Sequence, residues 1–187
     1  MADKFGLGLP SAIVKSKGHF PGQQYGVLAT RLVVPGLPAS NYAYGFGEIV
    51  KIVDDKDGAY TFRAMTADDT AVALAVVMRD IVGGTSPNEN VISKAKSNVA
   101  ASLFLLNEEQ YGAIAVPCAS TTGVVVGGAV YVGLGTGTTV AGSTYGAAQG
   151  AAGVDSVALT GYTFRELPYK PSDTDAYAVI IGRKLDI

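Results

Sequence analysis

The chain has 187 residues, enough for one domain with an extension, and 48% of them are hydrophobic while 16% are charged. Its formal net charge is −2, and its cations are scattered in pairs such as Lys15 and Lys17, Lys94 and Lys96, and Arg183 and Lys184, which gives no electrostatic case for nucleic acid. A single cysteine, Cys118, excludes an internal disulfide, and a single histidine, His19, leaves little material for a metal centre or a catalytic triad.

Residues 1–26 are interrupted by Gly6, Gly8, Pro10, Gly18, Pro21, Gly22 and Gly26, yet they keep Phe5, Leu7, Leu9, Ile13, Val14, Phe20 and Tyr25. A disordered tail is normally depleted in such residues. Two readings stand: an extended N-terminal arm that orders against a partner, or an irregular segment folded over its own core. No basic region precedes an apolar run between Met1 and Pro10, so no secretory signal is expected there. The remainder, 27–187, is expected to form one β-rich core.

From Asn41 the pattern has period two. Tyr42, Tyr44 and Phe46 alternate with Ala43, Gly45 and Gly47, which predicts a strand with its aromatics on one face. That face is a core surface or, less simply, an exposed aromatic platform. Glu48 to Val53 continues the strand. The run Asp54-Asp55-Lys56-Asp57-Gly58 reads as a turn, and the alternating Ala59-Tyr60-Thr61-Phe62-Arg63 makes a hairpin of it. These acids lack the alternating spacing and the later bidentate Glu of a calcium loop.

Thr66 to Asp80 predicts a strand, because Val72, Leu74 and Val76 alternate with alanines; the competing signal is a helix cap at Thr66-Ala67-Asp68-Asp69. Thr85 to Asn90 is a loop of turn formers. Asn98 to Tyr111 fits a helix, or equally a strand over Leu103 to Leu106 that turns through Asn107-Glu108-Glu109.

Gln110 to Val154 contains no Asp, Glu, Lys, Arg or His. Its most apolar stretch, Ala113 to Val132, carries Pro117, glycines and hydroxyls, and is rejected as a membrane span. Within it, Val124 to Val126, a Gly127-Gly128 turn and Ala129 to Val132 predict a hairpin. Cys118 lies in an apolar run with no positive neighbour in sequence, as a buried inert thiol would. Gly133-Leu134-Gly135-Thr136-Gly137 imitates a dinucleotide fingerprint, but no amphipathic helix follows to receive a pyrophosphate. Gly133 to Gly153 is therefore a long loop, with room for a short glycine-broken hairpin. Strands over Val157 to Glu166 and Ala176 to Ile181 close the chain. Tyr60-Thr61-Phe62-Arg63 recurs as Tyr162-Thr163-Phe164-Arg165. No catalytic, cofactor-binding or metal-ligating set emerges, and no cofactor is expected.

The order of elements in the last two-thirds resembles the capsid cement (decoration) proteins of tailed bacteriophages. The resemblance rests on the apolar strand Ala73 to Ile81, on Val126-Gly127-Gly128-Ala129-Val130-Tyr131-Val132, on the Gly/Ala/Thr segment after it, and on Tyr177-Ala178-Val179-Ile180-Ile181-Gly182-Arg183-Lys184-Leu185. Its motifs are positional and compositional. It implies a mainly β chain with a compact β-barrel or β-sandwich core and a homo-oligomer, expected to be a trimer. It also implies binding to the major capsid protein on the outside of the virion, after synthesis in the host cytoplasm, with no nucleic acid or membrane partner. The candidate inter-subunit contacts are Phe5, Ile13, Val14, Phe20, Tyr25, Tyr42, Tyr44 and Phe46. Two alternatives are a tail tube or head–tail connector protein, and a carbohydrate-binding adhesion module using Tyr42, Tyr44 and Phe46.

Overall fold

The computed structural model describes residues 20–25, 33–39, 42, 44–56, 59–66, 69, 73–78, 100–106, 112–134, 146–153, 156–171 and 176–184. Among these the chain forms strands and no helix, in the order β1 (Gln24–Tyr25), β2 (Val33–Pro38), β3 (Ile49–Lys56), β4 (Ala59–Arg63), β5 (Leu74–Val77), β6 (Ala101–Leu106), β7 (Ala113–Pro117), β8 (Ala129–Gly133), β9 (Ala148–Gln149), β10 (Ser156–Phe164) and β11 (Ala178–Arg183). The fold is mainly β, as the composition predicts.

Two sheets divide the strands. The first is a closed five-stranded barrel in the order β2-β4-β3-β5-β6, and the second is six-stranded in the order β1-β7-β11-β10-β8-β9. The β3–β4 hairpin is the one the Asp57-Gly58 signal predicts, with Lys56 opposite Ala59 and a bulge between Ile52 and Asp54. Antiparallel pairs carry on through β5 to β6. The barrel is completed by β2, which runs antiparallel to β6 and parallel to β4. In the second sheet an isolated parallel bridge joins Cys118 to Ala148, and Ala119 N–H donates to Ala148 C=O at 2.8 Å. That contact draws β9 back toward the end of β7 and curls the sheet on itself.

Side-chain alternation explains how the sheets meet. One apolar cluster fills the barrel: Tyr44, Val50, Phe62, Ala75, Val77, Leu103 and Leu105. A second lies between barrel and sheet, where Ile49, Leu74, Val76, Phe104 and Leu106 face Ile114, Val116, Val130, Val132, Phe164, Val179 and Ile181. Strand β5 is therefore buried along its whole length and β6 at its last four residues. A strand buried on both faces needs apolar residues at every position, so the run Leu103 to Leu106 loses the alternation that would identify it. The segment Asn98 to Tyr111, open between helix and strand in sequence, is a strand at Ala101–Leu106.

Three expectations need correction. Among the described residues of the period-two run from Asn41, none before Ile49 is in a strand; Phe46 and Gly47 form a turn, and Glu48 N–H donates to Gly45 C=O at 3.3 Å. Val124 to Val126 is not the first arm of a hairpin. Gly128 N–H donates to Val125 C=O at 2.9 Å, so the turn begins at Val125 and only β8 is a strand. The strand expected over Thr66 to Asp80 is confined to Leu74–Val77 among the described residues. Three strands, β1, β2 and β7, form where the sequence pattern predicts none. The loop at Thr85 to Asn90, the centre of the Gly133 to Gly153 segment, and residues 1–19 of the expected arm lie outside the described residues. The arm's last residues belong to the second sheet: Gly22 N–H donates to Ala115 C=O at 2.8 Å, and Gln24 lies opposite Ile114.

Candidate functional site

The aromatic candidates point inward. Tyr44 is 2% exposed, and Tyr42 and Phe46 pack against the same barrel cluster. Tyr42 and Tyr44 both meet Phe62 edge-on, with ring centroids 6.1 and 5.3 Å away. That geometry suits the aromatic quadrupole and serves the core. The platform an adhesion module would use is absent from these three side chains. Phe20 is half-buried, Tyr25 lies on β1 opposite Ala113, and Phe5, Ile13 and Val14 lie outside the described residues.

The polar groups that do come together hold loops in place. Glu48, which carried no signal in sequence, is buried at the barrel mouth, and the Tyr42 hydroxyl donates to its Oε2 at 2.9 Å. Arg63 at the end of β4 grips Asp69 through both guanidinium nitrogens, Nη1 to Oδ2 at 2.7 Å and Nη2 to Oδ1 at 2.9 Å. Thr66 N–H also donates to Oδ2 at 2.7 Å. The Arg63 bonds, with help from Thr66, hold the Asp69 carboxyl down at about 2. Cys118 is buried, and desolvation pushes its thiol up to about 11, the environment of an unreactive thiol. Burial likewise pushes the Tyr162 phenol up to about 12.

Among the described residues no three His, Cys, Asp or Glu side chains gather as metal ligands would, and no helix is long and apolar enough to cross a membrane. The chemistry on view is that of contact surfaces. Large aliphatic side chains stand in solvent at two places. On the barrel wall these are Val33 and Leu37 of β2 and Val53 in the β3 bulge. The strand registers set Leu37 beside Thr61 and Thr61 beside Asp54, so Leu37 and the bulge flank the same residue of β4. On the second sheet, Val125 and Val126 are 58% and 61% exposed and Leu167 is 61% exposed. Tyr177, also exposed, lies under the Lys170 ammonium at 5.3 Å.

Within the second group, the turn that carries Val125 and Val126 is held by backbone bonds. Residues 125–128 form a turn with Gly127 in its third position at φ 79°, the left-handed conformation a type II turn requires there. Gly127 N–H donates to Phe164 C=O at 2.8 Å, and Phe164 N–H donates to Gly128 C=O at 3.3 Å, so the turn is bonded to the end of β10. Val124, just before it, is buried in the shared core. The neutral composition of 110–154 foreshadows this surface, but the exposure of its valines depends on turn placement, which local sequence does not set. No family model matches the chain, and no curated protein is significantly similar to it.

Proposed function

We propose that the chain is a virion structural protein: a capsid decoration, or cement, protein that binds the outside of a tailed-phage head and clamps its major capsid protein lattice. The observation that carries this reading is the set of exposed aliphatic side chains at Val33, Leu37, Val53, Val125, Val126 and Leu167. Among the described residues the barrel is closed and the second sheet ends in the two-residue strands β1 and β9, which leaves little strand edge with which to pair other chains. Its means of adhesion is then shape and apolar area. Contacts of that kind are weak singly and strong when repeated by symmetry over a shell. The positional resemblance of the last two-thirds to cement proteins supports the same reading and adds a homotrimer as the expected assembly.

The test is the copy number of this chain in purified particles of its source, measured by quantitative mass spectrometry. A ratio to the major capsid protein near one, or a simple fraction of it, is the expected result. A handful of copies per particle would move the protein to the tail tube or the head–tail connector. Absence from particles would overturn the reading.

A further inference from the structure

We infer that the chain is one five-stranded β unit repeated in tandem, residues 33–106 and 113–183, and that an outer face of the first unit is a docking face for a second copy of the unit, which the chain itself supplies. The inference does not depend on the decoration reading. The barrel runs β2-β4-β3-β5-β6, with β2 parallel to β4 and its other pairs antiparallel. In the second sheet the parallel bridge from Cys118 to Ala148 closes β7-β9-β8-β10-β11, which is the same order five strands on, again with one parallel contact. The registers repeat as well. Val33 opposite Phe104 corresponds to Ala113 opposite Gly182, and Val77 opposite Leu103 to Phe164 opposite Ile181. Ile49 opposite Val76 corresponds to Ala129 opposite Thr163, and Ile52 opposite Phe62 to Val132 opposite Ala148. A slip of one residue in any strand would break these matches. Val33 opens β2 and Ala113 opens β7, eighty residues on; Ile49 opens β3 and Ala129 opens β8, eighty on again.

The turn before the second strand of each unit repeats with the strands. Glu48 N–H donates to Gly45 C=O at 3.3 Å and Gly128 N–H to Val125 C=O at 2.9 Å, with Gly47 at φ 81° and Gly127 at φ 79° inside the two turns. Gly47 N–H then donates to Val77 C=O at 2.7 Å, as Gly127 N–H does to Phe164 C=O at 2.8 Å. The buried positions agree: Tyr44, Val50, Phe62, Val77 and Leu103 in the first unit match Val124, Val130, Ala148, Phe164 and Ile181 in the second. The backbone scheme is kept while the side chains differ. The repeated Tyr-Thr-Phe-Arg falls on β4 and at the end of β10, which are not equivalent strands, so it is not the trace of this repeat.

The units differ on the face that joins them. Ile49, Leu74, Val76, Phe104 and Leu106 of the first unit lie in the core shared with the second. Their counterparts by register are Ala129, Gly161, Thr163, Gly182 and Lys184, of which Ala129, Gly161 and Lys184 are exposed. Unlike faces therefore meet, and the contact is head-to-tail and not two-fold. The second unit's own version of the face is small and polar and gives no apolar seat to a third copy, as befits the terminal repeat of an array. A proline fixes where β1 adds. Ala115 N–H donates to Gln23 C=O at 2.9 Å, and its counterpart Pro35 has no N–H to donate, so β1 pairs with the second unit.

The experiment uses the full-length chain. Interstrand NOEs between backbone protons of the isotopically labelled protein read the registers directly. The matched contacts named above are expected in both halves, and a register shifted by one residue in either half overturns the repeat. A protease site inserted between Glu108 and Glu109, in the connection between the units, is then compared with the same insertion between Thr70 and Ala71, in the connection from β4 to β5 inside the first unit. Cleavage between the units is expected to leave the two pieces together on size exclusion, with amide protection in β2 to β6 retained. Cleavage inside the first unit is expected to lose that protection. Equal loss from the two cuts overturns the repeat, because the chain would then have no internal boundary. Phe104→Ala, which thins the docking face, is expected to make the cleaved pieces part at a concentration where wild-type pieces stay together. Wild-type pieces that part at once, or Phe104→Ala pieces that hold as wild type does, overturn the docking face.

Discussion

The barrel and the curled sheet are both neutral, apolar β structures, but they are stabilised differently. The barrel has a private core, with Tyr44, Phe62 and Leu103 inside it, and it also gives one outer wall to the core it shares with the sheet. The sheet has only the shared core. Among the described residues the barrel also holds the buried carboxylate Glu48 and the Arg63–Asp69 pair, whereas the 110–154 run that builds β7, β8 and β9 has no charge at all. The sheet therefore depends on the barrel more than the barrel depends on the sheet. The sheet can also spend aliphatic residues on its surface: a turn fixed by backbone bonds needs no charged side chains to hold its shape.

The sharpest way to break that asymmetry is at the seam. Phe104 on β6 is fully buried and belongs to the shared core. Phe104→Ala should cost about 3–5 kcal/mol, the usual range for deleting a buried aromatic. Phe62→Ala, inside the barrel, should cost a similar amount. The two should differ in what opens first. Native-state hydrogen exchange should show β7, β8 and β11 losing protection in Phe104→Ala while β3 and β4 retain more. Phe62→Ala should unprotect both sheets together. Identical exchange patterns would mean that the two regions are one cooperative unit.

A second pair of variants isolates the junction. Gly146 and Gly127 both have positive φ, 65° and 79°. A Cβ on Gly146 would overlap the Ile49 backbone, where Ile49 N–H donates to Gly146 C=O at 3.0 Å; a Cβ on Gly127 would meet nothing within 4 Å. Gly127→Ala should therefore cost only the left-handed backbone penalty, about 1–2 kcal/mol. Gly146→Ala should cost that plus overpacking, about 2–5 kcal/mol in all. The difference between them, read from urea midpoints, measures how firmly the sheet is pinned to the start of β3.

These cases show what the sequence carries and what it does not. The β3–β4 hairpin was legible because Asp57-Gly58 is a local turn signal flanked by alternation. Strands β10 and β11 were legible for the same reason of pattern. Strand β2 was not, because Pro35, Gly36 and Pro38 read as breakers. It survives as a strand because its pairings are staggered, Val33 to Gly36 with β6 and Gly36 to Pro38 with β4, so each proline faces a registered partner on one side only. Strand β7 lies in a continuous apolar run that has no alternation to mark it. The inward turn of Tyr42 and Tyr44 was legible as a core face but not as a turn. Glu48 and the outward valines at 125 and 126 depend on contacts from elsewhere in the chain, Tyr42 and Phe164 respectively, and no local pattern announces them.

The Arg63–Asp69 clamp supplies a pH handle that belongs to the barrel side. Asp69 has its folded-state value lowered to about 2 from an ordinary 3.8. A depressed carboxyl contributes stability that is fully present above 3.8 and fades as pH falls through about 2. Asp69→Asn should cost about 1–2 kcal/mol at pH 7, allowing for the partial exposure of Arg63. The gap between variant and wild type should narrow below pH 4 and close near pH 2. A gap that stays constant across that range would show that the clamp acts through its neutral hydrogen bonds to Thr66.

The smallest effect should come from Ala73, the residue just before β5. It sits at φ 55°, where an L side chain is unfavourable, and its carbonyl accepts from Ile52 N–H at 2.9 Å. That hydrogen bond joins the bulged part of β3 to the entry of β5, so the conformation is imposed by the ladder and not chosen by alanine. Ala73→Gly relieves roughly 1–2 kcal/mol of left-handed penalty and gives back about 0.4–1 kcal/mol in unfolded-chain entropy. The net expectation is a stabilisation of up to about 1.5 kcal/mol, visible as a higher urea midpoint with unchanged slope. Ala73 is exposed, so no packing term competes with the backbone one. A destabilised Ala73→Gly would mean that the β3–β5 side of the barrel holds this turn without strain.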